Sequence, residues 1–111
     1  MFKYLTVAAI ALFSQVTFAD NTIAKVDSFL LVDSTKLVYV YPEGGVKNPP
    51  ACHGSNGDYI SFSMDRPMAK EYLSAIMYAH ATGKTVNFRT HGACVDQSIS
   101  DTLNYLSVLK D

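Results

Sequence analysis

The sequence predicts a mainly β domain carrying one helix, and three observations lead there. Apolar and polar residues alternate at a period of two in several short stretches. The stretch 66–82 instead repeats its apolar positions at helical spacing. Glycine, proline and other turn formers cluster between these segments.

In 23–32, IAKVDSFLLV, Ala24, Val26, Leu30 and Val32 fall on one side and Lys25 and Asp27 on the other, which reads as a half-buried strand. The turn formers DSTK at 33–36 lead into LVYVY at 37–41, β-branched and aromatic, so the two runs pair most simply as an antiparallel hairpin. Next, 42–57, PEGGVKNPPACHGSNG, holds three prolines and four glycines, too many breakers for a helix or a strand; loops of this length in small domains are usually functional or mobile. DYISFSM at 58–64 alternates strictly, with Ile60, Phe62 and Met64 inward and Ser61 and Ser63 facing away.

Asp65 is placed to cap a helix over 66–82, and Pro67 is tolerated in the first turn because its missing donor is not needed there. Ala69, Leu73, Ile76 and His80 share one stripe and Met68, Tyr72, Ala75 and Ala79 the next, with Lys70, Glu71 and Ser74 on the wet side and Gly83 as the C-cap. The second half of the helix has almost no polar side, so Met77 and Tyr78 are expected to meet something other than the domain's own core. TVNFRT at 85–90 restores the period of two with Val86 and Phe88 inward. After a loop at 95–101, TLNYLSVL at 102–109 reads as a last strand in which either Leu106 and Val108 or Leu103 and Tyr105 face the core. Five strands with one helix between the third and fourth, β-β-β-α-β-β, is the order of the OB-fold, a small, partly open Greek-key barrel.

The first residues, MFKYLTVAAIALFSQVTFAD, have the form of a secretory signal peptide. Lys3 precedes a short apolar run, and Thr17 and Ala19 put small side chains at minus three and minus one, so cleavage is expected between Ala19 and Asp20. The run is short of the roughly 20 residues of a membrane span, and no later stretch reaches that length. A secreted or periplasmic product comprising one domain, 20–111, is expected. Its core is thin at that size. Two cysteines, Cys52 and Cys94, are expected to pair, since an even count in an exported chain points to oxidation. Closing that loop contributes on the order of 4 kcal/mol through the entropy of the unfolded chain.

Several function classes fit poorly. Gly83-Lys84-Thr85 matches the end of a phosphate-binding loop, but Tyr78 stands where its first glycine belongs. Cys52-His53 and His91-x-x-Cys94 offer two thiols and two imidazoles to a zinc ion, yet adjacent Cys and His cannot readily aim at one metal, and a disulfide is the better reading in this compartment. A cysteine nucleophile needs a free thiolate, and Ser55, His53 and Asp58 in a glycine-rich loop read as turn chemistry before they read as a triad. Asp58, Asp65 and Glu71 are spread over a strand start, a helix cap and a wet helix face. With residues 1–19 removed, eight Lys and Arg stand against ten Asp and Glu, so no basic nucleic-acid footprint exists. No catalytic residue, metal or cofactor is expected.

Binding fits better. OB-folds bind along strands two and three and through their connecting loops. Here that region carries Tyr39, Tyr41, Tyr59, Ser55 and Asn56, a set suited to sugar rings and their hydroxyls; the same tyrosines would also serve simply to cover the barrel.

The run YLSAIMYAHATGKTVNFRTHGAC, a helix ending in Thr-Gly-Lys followed by a Val-x-Phe strand and a cysteine, resembles the B subunits of AB5 toxins, closest to the subtilase-cytotoxin and pertussis-like branch, and related small secreted bacterial proteins of unknown role. The resemblance implies an OB-fold, a homopentamer with helices around a central pore and Met77, Tyr78 and Ala81 at the subunit interface, and recognition of a cell-surface glycan; whether an enzymatic A subunit is a partner stays open. In the cholera-type branch the first cysteine sits near the mature N-terminus, unlike Cys52, and no sugar-contacting residue of the family maps onto this chain. A monomeric periplasmic inhibitor or envelope protein, inserting the 42–57 loop into a target, is the alternative.

Overall fold

A computed structural model describes residues 21–54 and 58–111. The expected signal peptide with its Ala19–Asp20 cleavage point, and Ser55 and Asn56, lie outside the described residues. In chain order the elements are β1 (Asn21–Val32), β2 (Leu37–Pro42), β3 (Ile60–Ser63), α1 (Ala69–Thr82), β4 (Thr85–Thr90) and β5 (Leu103–Val108). They form a five-stranded sheet of order β3-β2-β1-β4-β5, each neighbouring pair antiparallel.

The long strand β1 is the spine: Asn21–Lys25 pairs with β4 and Val26–Val32 with β2. Among the described residues a parallel bridge runs from Ser61 of β3 to Thr102, just before β5, backed by the Ser61 N–H donating to the Asp101 carbonyl at 3.0 Å. The five-stranded antiparallel sheet expected from the sequence is present, and its ladders do not close it into a barrel.

Two bulges change which side chains face inward. The register slips between Val26 and Ser28, so Val26 is buried but Phe29, not Leu30, packs on the core; Leu30 is 47% exposed, contrary to the alternation read from the sequence. A second slip between Arg89 and Thr90 does the same to β5. Leu106 and Val108 pack against the core, as the first alternative for β5 has it, while of the second only Leu103 is buried and Tyr105 turns outward.

The core is Val38, Val40, Ile60, Phe62, Ile76, Val86, Phe88 and Leu103, all with no exposed surface. Each large side chain there is worth about 1.5–3 kcal/mol relative to exposure. Met64, expected inward, is only half-buried, and Ser61, expected outward, is fully buried, because the 91–102 segment lies over it.

Helix α1 starts later than expected. Met68 occupies the N-cap without a side-chain hydrogen bond, and Asp65 caps nothing. The chain makes turns first, Arg66 N–H to the Ser63 carbonyl and Ala69 N–H to the Arg66 carbonyl, both 3.1 Å, so Asp65 precedes the helix axis and pairs with Lys36 at 3.8 Å. At the other end Gly83 adopts φ 72°, where a side chain would be strained, and the Gly83 and Lys84 N–H groups both donate to the Ala79 carbonyl. Ala69, Ile76 and Ala79 are buried; Met68 and His80, expected on the inner stripes, are exposed, although the His80 ring meets the Phe29 ring edge-on at 5.4 Å.

Candidate functional site

Outward-facing positions of β2 alternate with its core residues, so Tyr39 and Tyr41 stand on the far side of the sheet from Val38 and Val40. Tyr59 enters from the start of β3. The structure thus brings together three of the five residues expected to bind ligand. The Tyr39 and Tyr59 rings stack at 4.1 Å and 18°, Tyr41 leans on Tyr59 at 5.4 Å, and the His53 ring lies 6.5 Å from Tyr59.

The hydroxyls of two of these tyrosines are already engaged. Tyr59 O–H donates to Gln97 Oε1 at 2.7 Å, and Gln97 Nε2 donates to the Tyr39 oxygen at 2.8 Å. Ser100 O–H also donates to Gln97 Oε1, which leaves Ser61 as the donor in the 2.5 Å contact between Ser61 and Ser100. Burial raises the Tyr59 phenol pKa first and the neighbouring Tyr39 adds to it, with the Gln97 hydrogen bond only partly offsetting them.

Tyr41 differs. Its hydroxyl has no partner among the described residues and reaches solvent. Its ring lines an open cleft of about 470 Å³ walled by Asp27, Glu43 and Asp58. The floor is Gly44-Gly45, whose φ angles of +85° and +84° admit glycine without strain. Lys47 Nζ approaches the Gly44 side of the rim. Carboxylates are acceptors only, so this cleft can take hydrogen bonds from hydroxyls while a ring stacks on Tyr41. A second hollow, about 260 Å³ between Leu31, Leu37, Met64 and Leu73, is apolar, with only Asp33 and Lys36 beside it to orient a ligand.

The segment over the outer face of β3, expected as a loop, is held by a polar network. Asp96 accepts from Arg66 Nε at 2.5 Å and Nη2 at 2.8 Å and from the Ser63 N–H at 2.8 Å. Thr102 Oγ1 accepts from the Val95 and Asp96 amides, and Asp101 Oδ1 from the Ala93 and Thr102 amides. Its signal in the sequence is the run VDQSISDT, dense in short polar side chains that can bond to nearby backbone.

No family model, curated protein or solved structure matches this chain.

Cys52 and Cys94 form a disulfide with Cα atoms 6.1 Å apart. His53 Nδ1 accepts from the Asp101 N–H at 3.0 Å, which places the proton of the neutral ring on Nε2, the wrong nitrogen for a base whose Nδ1–H is held by a carboxylate. Asp58 lies exposed at the cleft. Met77 and Tyr78 are half or more exposed, and Ala81 is exposed with them, so α1 presents that face away from the domain's core. No described helix is long and apolar enough to cross a membrane.

Proposed function

We propose that the protein is an exported, non-enzymatic binding module whose ligand is a glycan, held at the Tyr41 cleft. The carrying observation is Tyr41, with its unpartnered hydroxyl, in a cleft walled by three carboxylates. That set stacks on a sugar ring and accepts from its hydroxyls, and it repels sugars bearing their own carboxylate or sulfate. The disulfide is compatible with export. The β-β-β-α-β-β order, the double pairing of β1 and the Ser61–Thr102 bridge support an OB-fold-like, partly open barrel. The exposed Met77, Tyr78 and Ala81 support a copy-to-copy interface of the kind the toxin B-subunit likeness implies, up to a homopentamer that partners an A subunit.

The test is a glycan array followed by titration calorimetry. Neutral glycans should bind and their acidic counterparts should not, with Tyr41→Ala lowering affinity at least about tenfold, as loss of a stacked ring does. Binding unaffected by Tyr41→Ala overturns the site. A second reading has one observation in its favour: Cys52, within the segment expected to act as the inhibitory loop, is tied to Cys94, and a tethered segment suits a monomeric periplasmic inhibitor or envelope protein inserting its 42–57 loop. Light scattering separates the two, since a closed ring supports the B-subunit likeness and a monomer at high concentration removes it.

A further inference from the structure

At the tip of the β1–β2 hairpin the sheet and the helix part. Leu31 and Leu37 from the hairpin, Met64 just after β3 and Leu73 on α1 enclose a hollow of about 260 Å³, with Asp33 and Lys36 at its edge. Leu37 is buried, but Leu31 is 56% exposed, and Met64 and Leu73 stay half-buried although they pack against the core. These apolar side chains border space that neither sheet nor helix fills, and an apolar group placed there would take their surface out of water. The hollow lies at the opposite end of β2 from Tyr41 and shares no lining residue with the glycan cleft.

The hairpin turn beside it is strained. Lys36 adopts φ 58°, the left-handed region where glycine or asparagine costs least. Two hydrogen bonds hold it there: the Lys36 N–H donates to the Asp33 carbonyl at 3.3 Å, and the Lys36 carbonyl accepts from the Met64 N–H at 2.8 Å. The Lys36 ammonium meets Asp65 at 3.8 Å with both side chains mostly in water, 67% and 76% exposed, a pairing that contributes little to stability. Asp33 has no ion-pair partner among the described residues. A lysine kept where glycine would relieve the backbone points to a use for its side chain.

We propose that the hollow binds a free apolar amino acid, with its side chain among Leu31, Leu37, Met64 and Leu73, its carboxylate on Lys36 and its ammonium on Asp33. The rim offers one charge of each sign and the walls are apolar, which is the complement of a zwitterion with an apolar side chain. A residue inside a peptide has lost both charges and one at a chain end keeps a single one, so the free amino acid is the ligand that satisfies both rim groups. The hollow is just under the roughly 300–1,000 Å³ of drug-sized pockets, in keeping with so small a ligand. Because the hydrogen-bonded turn fixes the backbone of both rim residues before binding, less ordering offsets the gain.

The experiment follows amide spectra of the mature, oxidised protein during titration with leucine and with phenylalanine. Three controls run beside them: leucinamide lacks the anion, N-acetyl-leucine lacks the cation, and serine keeps both charges without the apolar side chain. Leucine, phenylalanine or both should shift Lys36, Leu37, Met64 and Leu73 saturably and leave Tyr41 and Asp58 unmoved, and each control should bind at least about tenfold more weakly. Lys36→Gly relieves the strained φ, so it should resist urea about as well as wild type while binding leucine about tenfold more weakly, and Asp33→Asn should lose a similar factor. No saturable shift up to about 10 mM amino acid, a control that binds as tightly as leucine, or undiminished affinity in folded Lys36→Gly would each overturn the proposal. Glycan binding at Tyr41 is read from other residues, so the two sites stand or fall separately.

Discussion

Over β2 and β3 the outer surface of the sheet is roofed by the 91–102 segment, whereas over β1, β4 and β5 that surface is partly open to solvent. Under the roof, Tyr59 and Ser61 are buried and both hydroxyls are partnered. On the open side, Ile23 and Tyr105 are more than half exposed, and the register sets Ile23 beside Asn87 and Ser107, and Asn21 beside Arg89 and Tyr105. Arg89 donates to Asn21 Oδ1 and lies 6.0 Å over the Tyr105 ring. Polar groups cut off from water must find protein partners, while those facing water need none, so the roofed half should be intolerant of change and the open half permissive.

Substitutions measured by urea unfolding of the oxidised protein put numbers on that contrast. Phe62→Ala, in the core beneath both surfaces, sets the scale with a loss of about 3–5 kcal/mol. Thr102→Val should follow at about 2–4 kcal/mol, because its hydroxyl is the acceptor for two amides and an isosteric methyl strands both. A cost below about 1 kcal/mol would mean that water reaches under the roof.

Asp96→Asn should cost about 1.5–3 kcal/mol near neutrality, and its effect should depend on pH. Burial works to raise the Asp96 carboxyl pKa, but the hydrogen bonds from Arg66 and Ser63 and the charges of Arg66 and His91 outweigh it, so the folded value lies below the ordinary one. A carboxyl with a depressed folded pKa stabilises above its unfolded value, about 4, and loses that contribution as pH falls through the folded value. The gap between wild type and Asp96→Asn should therefore be constant above about pH 5 and close in stronger acid. A gap that survives at low pH would assign the loss to shape and not to charge.

The open half should respond least. Tyr105→Ser is expected within about 0.5 kcal/mol of wild type. Asn87→Thr sharpens the contrast further: Asn87 Oδ1 is shielded and unpartnered, so exchanging it for a β-branched residue should raise stability by up to about 0.5 kcal/mol. A destabilised Asn87→Thr would show that this surface is organised after all.

Legibility in the sequence follows the same division. Where one face of a strand is buried and the other wet, alternation gives the element directly: TVNFRT reads as a strand over 85–90 and is one, with Val86 and Phe88 inward. Gly83 as helix cap is equally plain, since φ 72° leaves little choice of residue. The misreadings sit at the bulges beside Asp27 and Thr90, where one extra residue reverses the parity that alternation assumes, and at Asp65, a good cap residue placed in turns ahead of the helix. Tyr39, Tyr41 and Tyr59 could be named in advance because they share a strand face or its start. Asp96 and Gln97 could not, since their role depends on a segment folding back over strands more than thirty residues earlier, a relation no local period records, whereas Asp101 and Thr102 bond to amides of their own segment, which the short polar run makes legible.

The spine strand also fixes an order of events. Val26–Val32 finds its partner in the hairpin that follows at once, but Asn21–Lys25 must wait for Thr85–Arg89. Such distant pairing slows folding, because a long chain loop closes before any contact rewards it. A chain that emerges from its N-terminal end therefore passes through a stage in which the first half of β1 is an unclaimed strand edge, carrying Ile23 and open to pairing with any neighbouring chain until the last quarter of the sequence arrives.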